Sequence, residues 1–186
     1  MKQFVVAIFL AVLLVGCAKY SLVEPTRMAI GDKYWVDPQI QWSSLTTGKY
    51  TAWTVDGLSL ERLQFVNGVE DKETMYQGKK EYEKLIFKKS MTPSEIMELL
   101  VDSYKADGAR KVETKNLKPN QFGNAPGFRF DMSYVSKDGL ECEGLIAGSV
   151  IDGKLYLISY TGTRAHYFPK YKTEAERIIQ SIKMQG

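Results

Sequence analysis

Histidine is almost missing from this chain of 186 residues, with His166 as its single example. Histidine-rich metal sites and any site needing two imidazoles therefore drop out. Cysteine is nearly as scarce, at Cys17 and Cys142 only. There is no excess of one charge, since 25 basic residues stand against 22 acidic ones and the signs are interspersed. A nucleic-acid binder would carry a basic stripe, and none is found. No apolar run reaches the roughly 20 residues of a membrane-spanning helix. No phosphate loop, dinucleotide fingerprint, zinc motif or calcium loop can be traced.

What is present begins at the N-terminus. Lys2 supplies a positive charge, Phe4 to Val15 is unbroken apolar sequence, and the run closes on Leu14-Val15-Gly16-Cys17. A cationic start, a short apolar stretch and small residues at the cut describe a signal peptide. The cysteine directly after the glycine resembles the lipobox of bacterial lipoproteins. That resemblance implies cleavage between Gly16 and Cys17 and diacylglycerol thioether-linked to Cys17. An ordinary signal peptide, or an uncleaved anchor with a chance cysteine, is the plainer alternative. Each buried methylene contributes about 0.8 kcal/mol, and two or more acyl chains make a stable anchor. The expected protein is peripheral and held in the cell envelope. Ala18 after the cysteine resembles the pattern sorted to the outer membrane, facing the periplasm, if the host is Gram-negative. The expected divisions are a signal peptide at 1–16, a lipidated N-terminus and tether at 17–33, and one domain at 34–186, long enough for a real core. Once Cys17 carries lipid, Cys142 has no disulfide partner and reads as a small buried hydrophobe.

Aromatic and β-branched residues mark strands near Tyr34–Trp42, Tyr50–Val55 and Leu58–Val66, with Asp56-Gly57 and Asn67-Gly68 as turn signals. Asn67 to Glu83 is a long charged stretch that reads as a solvated loop or a functional surface. Thr92-Pro93-Ser94-Glu95 is the clearest local signal: a capping box with proline at the first helical position, an apolar stripe through Ile96, Leu100 and Tyr104, and Gly108 as the stop. Lys111–Leu117 reads as a strand and Lys118–Gly127 as a loop. Phe128, Phe130, Met132 and Tyr134 then alternate with polar residues, as in a half-buried strand. Asp138-Gly139 and Asp152-Gly153 suit two-residue hairpins. That geometry pairs Met132 with Leu145, Phe130 with Ala147, Ala147 with Ile158 and Leu145 with Tyr160. Tyr171, Ala175, Ile178 and Ile182 form the stripe of a final helix, beginning at a Thr173 capping box or nearer Pro169. A sheet apolar on both faces must be covered on both. The expected fold class is α+β, an antiparallel β-sheet flanked by α-helices on both faces in an α/β/α sandwich.

In order along the chain stand Trp53-Thr54-Val55-Asp56-Gly57, the capped Met91-Thr92-Pro93-Ser94-Glu95-Ile96 helix and Pro126-Gly127-Phe128-Arg129-Phe130. Asp152-Gly153-Lys154-Leu155-Tyr156-Leu157-Ile158 and Ile178-Ile179-Gln180-Ser181-Ile182 follow. Together, from Trp42 to Met184, they resemble bacterial lipoproteins of the PsbP-like superfamily. The resemblance implies an antiparallel sheet flanked by helices and a role as an accessory, binding or assembly factor. It carries over no catalytic residue, and a shared fold does not itself fix function.

The remaining chemistry is thin. Cys142 with His166 is the one nucleophile pair to consider. Glu141 and Glu143 share a strand face, a spacing that paired-carboxylate catalysis could use but that an exposed strand end explains equally well. Arg129 and Asp131 share a face and could pair. The expected function is a membrane-anchored, non-enzymatic protein-binding or assembly factor. A small-ligand or cell-wall-binding module is the alternative, and an enzyme comes third. No cofactor is expected beyond the covalent lipid on Cys17. The expected partners are the membrane, through the anchor, and an envelope protein, with neither nucleic acid nor metal. The partner surface is expected at Glu70, Asp71, Lys72, Lys79 and Lys80 and at Gln121, Phe122 and Asn124.

Overall fold

The structure is a computed structural model that describes residues 20–76 and 83–185. The expectations for Gly16, Cys17, Lys79 and Lys80 lie outside the described residues. The elements are β1 (Ser21–Val23), β2 (Met28–Ile30), β3 (Tyr34–Val36), β4 (Trp42–Thr47), β5 (Tyr50–Thr54), β6 (Glu61–Val69), α1 (Pro93–Ala106), β7 (Arg110–Phe122), β8 (Ala125–Val135), β9 (Glu141–Ile151), β10 (Lys154–Thr163), α2 (Tyr167–Gln180) and β11 (Lys183–Met184). Eight strands form one sheet in the order β1-β4-β5-β6-β10-β9-β8-β7, and β11-β3-β2 form a second. The large sheet is thus two meanders joined at its centre, where β6 and β10 pair antiparallel with Phe65 opposite Ile158 and Arg62 opposite Thr161. Ser21–Ile30, expected as part of a tether, supplies β1 and β2, with Val23 and Ile30 buried.

The expected α/β/α sandwich does not form. The molecule is mostly β, with 49% of it in strands, 11 strands in two antiparallel sheets and two helices among the described residues. The reason is one of width. Eight strands about 4.8 Å apart span about 34 Å, whereas a helix with its side chains is about 10 Å across. One helix cannot roof such a sheet, so other elements share the work. On one face α2 lays Phe168, Tyr171, Ala175 and Ile178 over Trp53, Leu63, Phe65, Ile158 and Tyr160, and the small sheet adds Ile30, Tyr34 and Val36. On the other face α1 sets Ile96, Leu99 and Leu100 over Phe128, Phe130, Ile146 and Leu157. The charged stretch helps here: a bridge between Thr74 and Ile86 folds it back so that Met75 and Phe87 are fully buried in the same core.

The local signals fare unevenly. Thr92 caps α1 with its capping box complete, and Gly108 follows at φ 95°. Asp152 and Gly153 both have positive φ, as a type I′ turn requires, and Ala147–Ile158 and Leu145–Tyr160 pair as expected. The Asp138-Gly139 hairpin is one residue longer than expected. Ser136 N donates to Leu140 O at 2.8 Å, the loop is Lys137-Asp138-Gly139, and Gly139 takes φ 87°. Phe130 therefore pairs with Ile146, not Ala147, and Met132 with Gly144, not Leu145. A one-residue slip reverses every side chain. Phe128, Phe130 and Met132 consequently join the α1 core, whereas Leu145 and Ala147 face α2.

Two expected loops are largely strand. β6 runs through Asn67-Gly68 to Val69, with a bulge opposite Leu155–Tyr156 where Gly68 takes φ 76°. Lys118–Gly127 contains only a two-residue turn, Gly123-Asn124, between β7 and β8. Pro119 is tolerated there because β7 is the sheet edge. α2 starts at Tyr167, ahead of the Thr173 box, without a side-chain cap.

Candidate functional site

Alternation along β6 sends Leu63 and Phe65 into the α2 core and turns Arg62 and Gln64 to the opposite face. Opposite Arg62 stands Thr161 of β10. One step along the same face, Cys142 of β9 lies between Thr163 and Tyr134 of β8. α1 reaches this end of the sheet only with its last turn, which brings Tyr104 and the following Asp107. A cavity of about 230 Å³ results, lined by Arg62, Tyr104, Tyr134, Ser136, Cys142 and Thr161 among others. A second, of about 210 Å³, adds Gln64 and Tyr76 and shares Arg62, Tyr104 and Asp107. The guanidinium lies where the two hollows meet.

The electrostatics leave one net charge on this floor. Burial works against the Arg62 cation, but the phenolic oxygens of Tyr104, Tyr134 and Tyr76 outweigh it, and its pKa stands above the ordinary value. The Tyr134 phenol is pushed far up, first by burial and then by Tyr104, against the opposing pull of Arg62 and a hydrogen bond with Thr161. Burial also raises the Cys142 thiol, although Tyr134 and Arg62 act in the other direction. At neutral pH the arginine is therefore charged while Tyr134 and Cys142 are neutral. Among the described residues Arg62 forms no ion pair with a carboxylate. The Tyr104 hydroxyl oxygen is buried beside it, and its interaction with Arg62 favours the cation.

The residues singled out from sequence lie elsewhere. Lys154 holds Glu70 at 2.9 Å and keeps its carboxyl below the usual range. Asp71 Oδ1 accepts from Lys89 N at 2.9 Å, and Lys72 is exposed at φ 65°. Gln121 and Asn124 are exposed, but Phe122 is fully buried against Tyr34, their ring centroids 5.2 Å apart. Phe122 also packs into the α2 core while Met75 packs into the other, so the two expected partner segments belong to opposite faces. Cys142 turns into the cleft, whereas His166 is exposed at the start of α2 against Tyr167. Arg164 bridges Glu141 at 3.2 Å and Glu143 at 3.1 Å. Arg129 pairs with Glu176 of α2 at 2.8 Å rather than with Asp131, which accepts from Asn116. Among the described residues no group of His, Cys, Asp and Glu could hold a metal ion, and no helix is long and apolar enough to cross a membrane.

Sequence reasoning missed Arg62. In the row Leu60-Glu61-Arg62-Leu63-Gln64-Phe65, the alternation reads as a strand with a wet face. Its one available signal is a long cation in a central strand bracketed by large apolar residues.

No family model matches the chain, and no curated protein matches it. Solved structures similar to it include the solution structure of cyanobacterial PsbP (CyanoP) from Synechocystis sp. PCC 6803. That likeness has 13% identity and a TM-score of 0.46, and covers 92% of this chain and 96% of the other. Another is LpqN, involved in cell envelope biogenesis of Mycobacterium tuberculosis, with 10% identity and a TM-score of 0.41, covering 93% of this chain and 88% of that one. At these identities and scores neither likeness says what this chain does.

Proposed function

We propose that this chain is a lipid-anchored lipoprotein of the cell envelope that binds a ligand without transforming it, and that binding takes place in the Arg62 cleft. The observation that carries the cleft reading is the half-buried Arg62, which faces tyrosines and, among the described residues, no carboxylate ion-pair partner, at the junction of two hollows. A ligand that binds only the folded state there would add stability that rises with its concentration. The anchor rests on Cys17 and the sequence before it, with the outer membrane of a Gram-negative host as the expected address. The non-enzymatic reading is supported by the separation of Cys142 from His166 and by the Arg164 clamp on Glu141 and Glu143. Its only cofactor is the covalent lipid, and its partners include neither metal nor nucleic acid. Docking of an envelope protein through the two loops is the weaker reading, because Glu70 is already paired and Phe122 is buried.

In-cell photocrosslinking of the full chain tests this reading, with photoreactive residues at Leu58 and Lys137 on the cleft wall and at Asp71 and Lys72 on the charged stretch. Small-molecule adducts at the cleft positions alone are expected. Protein adducts at Asp71 and Lys72 with a silent cleft would overturn the reading in favour of a docking surface. Cys17→Ser should release the protein from the membrane fraction, and unchanged membrane association would overturn the anchor.

A further inference from the structure

Building on the anchor proposed at Cys17, we propose that the β1 corner of the large sheet is itself a membrane-contact surface. It seats Tyr20 and Leu22 in the headgroup layer and gives the tethered domain one orientation. Of the five large apolar side chains exposed among the described residues, Trp35, Val55 and Leu140 stand singly elsewhere in the chain, whereas Tyr20 is 50% exposed and Leu22 62%. Isolated apolar side chains on a surface need no explanation, but a cluster does. Val23 enters the α2 core, so alternation along β1 turns Leu22 to the opposite side, across from Ser43. Half-buried Leu45, two residues on in β4, and its partner Ala52 in β5 extend the apolar strip on that side.

The two edges of the large sheet differ in the same sense. β7, the far edge, carries Lys111, Lys115, Lys118 and Pro119, and Lys111 and Asn116 leave the extended conformation at φ 50° and 59°. Charges, proline and such irregularities keep an edge from pairing with another strand. β1 has only its shortness, since Tyr20–Val23 contains no charge, no proline and no positive φ. Its cover follows from where the chain leads. β1 opens four positions after Cys17, too few for that edge to stand clear of an acylated cysteine. The headgroup layer suits these residues. It is wet enough to hydrogen-bond the open N–H and C=O groups of the edge, which hydrocarbon is not, and the amphipathic ring of tyrosine settles there.

The test uses the full chain, purified from membranes and reconstituted with phosphatidylcholine vesicles, with a photoreactive residue placed in turn at Tyr20, Leu22, Trp35, Val55 and Leu140. Illumination followed by mass spectrometry counts the phospholipid adducts. Those at Tyr20 and Leu22 should exceed those at Leu140 about tenfold, since contact with the bilayer scales with the apolar area it buries. Leu22→Asp, at a position too exposed to matter for folding, should cut the Tyr20 adducts about fivefold, because a charge resists entry into the layer. Equal yields at all five positions, with the chain on the vesicles, would overturn the contact surface and leave the anchor in place. Adducts joining two copies through Leu22, in place of lipid, would overturn it in favour of edge-to-edge pairing. A Cys17→Ser chain that stays on the vesicles with its Tyr20 and Leu22 adducts intact would overturn the anchor and leave the surface standing. A native chain that does not reach the vesicles would overturn both.

Discussion

On the α2 face of the large sheet, Trp53, Leu63, Phe65, Ile158 and Tyr160 are all 0% exposed beneath a helix and a second sheet. On the α1 face one end is nearly as dry, with Val66, Ile146, Leu157 and Phe130 all buried. The other part, across Arg62, Thr161, Cys142 and Tyr134, lies under the end of α1, with Leu58 and Tyr76 at its rim among the described residues. One sheet face is therefore packed core at one end and hollowed at the other, and the boundary falls near the end of the covering helix. Covered apolar surface contributes stability by burial, whereas a hollow lined by polar groups offers room for a ligand.

The largest expected effect is at the closed face. Trp53→Ala should cost about 3–5 kcal/mol in urea unfolding, and a loss below ~1 kcal/mol would break the contrast by showing that face to be loosely packed. Next comes the dry half of the α1 face. A β-carbon at Gly148 would collide with Leu157 Cδ2 and lie 2.9 Å from the Tyr156 carbonyl oxygen. Gly148→Ala should thus cost about 1–3 kcal/mol. Gly144→Ala, at the cleft end and 3.2 Å from the Thr161 methyl, should cost less. Arg62→Met reverses the sign, since a well-packed apolar replacement of a buried charge is neutral to stabilising, here by up to about 1 kcal/mol. Clear destabilisation, with the fold shown intact, would mean that the guanidinium serves packing rather than binding.

The smallest effect is one of pH. Hydrogen bonds from Lys170 and Tyr171 hold the Asp56 carboxyl below its ordinary range and tie α2 to the turn before β6. A depressed folded-state pKa contributes stability that is present above the unfolded value, near 3.9, and is lost as pH falls through the folded one. The stability gap between the native chain and Asp56→Asn should therefore narrow from about pH 6 to pH 3 in urea titrations. A gap that stays constant would remove Asp56 as a fastening of the closed face.

What the residues disclosed in advance was local. The α1 cap needs only Thr92, Pro93 and Glu95, and the Asp152-Gly153 turn needs only two positive φ values, so both were legible. Lys137-Asp138-Gly139 was not, because Asp-Gly suits loops of two residues or three, and the choice depends on how β8 and β9 settle against their neighbours. That single ambiguity assigned Phe128, Phe130 and Met132 to the wrong core. The covering of the α1 face was illegible for a related reason: Met75 and Phe87 look like stray apolar residues in charged sequence until Thr74 meets Ile86. Arg62 lies furthest from local reasoning, since its neighbours Thr161, Cys142, Tyr134 and Tyr104 come from four other elements.

The pairing of β1 with β4 has a consequence at the scale of the membrane. Ser21 is already in the sheet, and only Ala18, Lys19 and Tyr20 separate it from Cys17. An extended chain gains at most about 3.6 Å per residue, so the proposed lipid on Cys17 would leash the sheet edge to within about 14 Å of the bilayer surface. On so short a leash the domain would skim a plane instead of sweeping a volume. Exposed Tyr20 and Leu22 would ride at the level of the headgroups. Any ligand that is itself membrane-bound would then be met in two dimensions, at an effective concentration set by the leash rather than by the surrounding fluid.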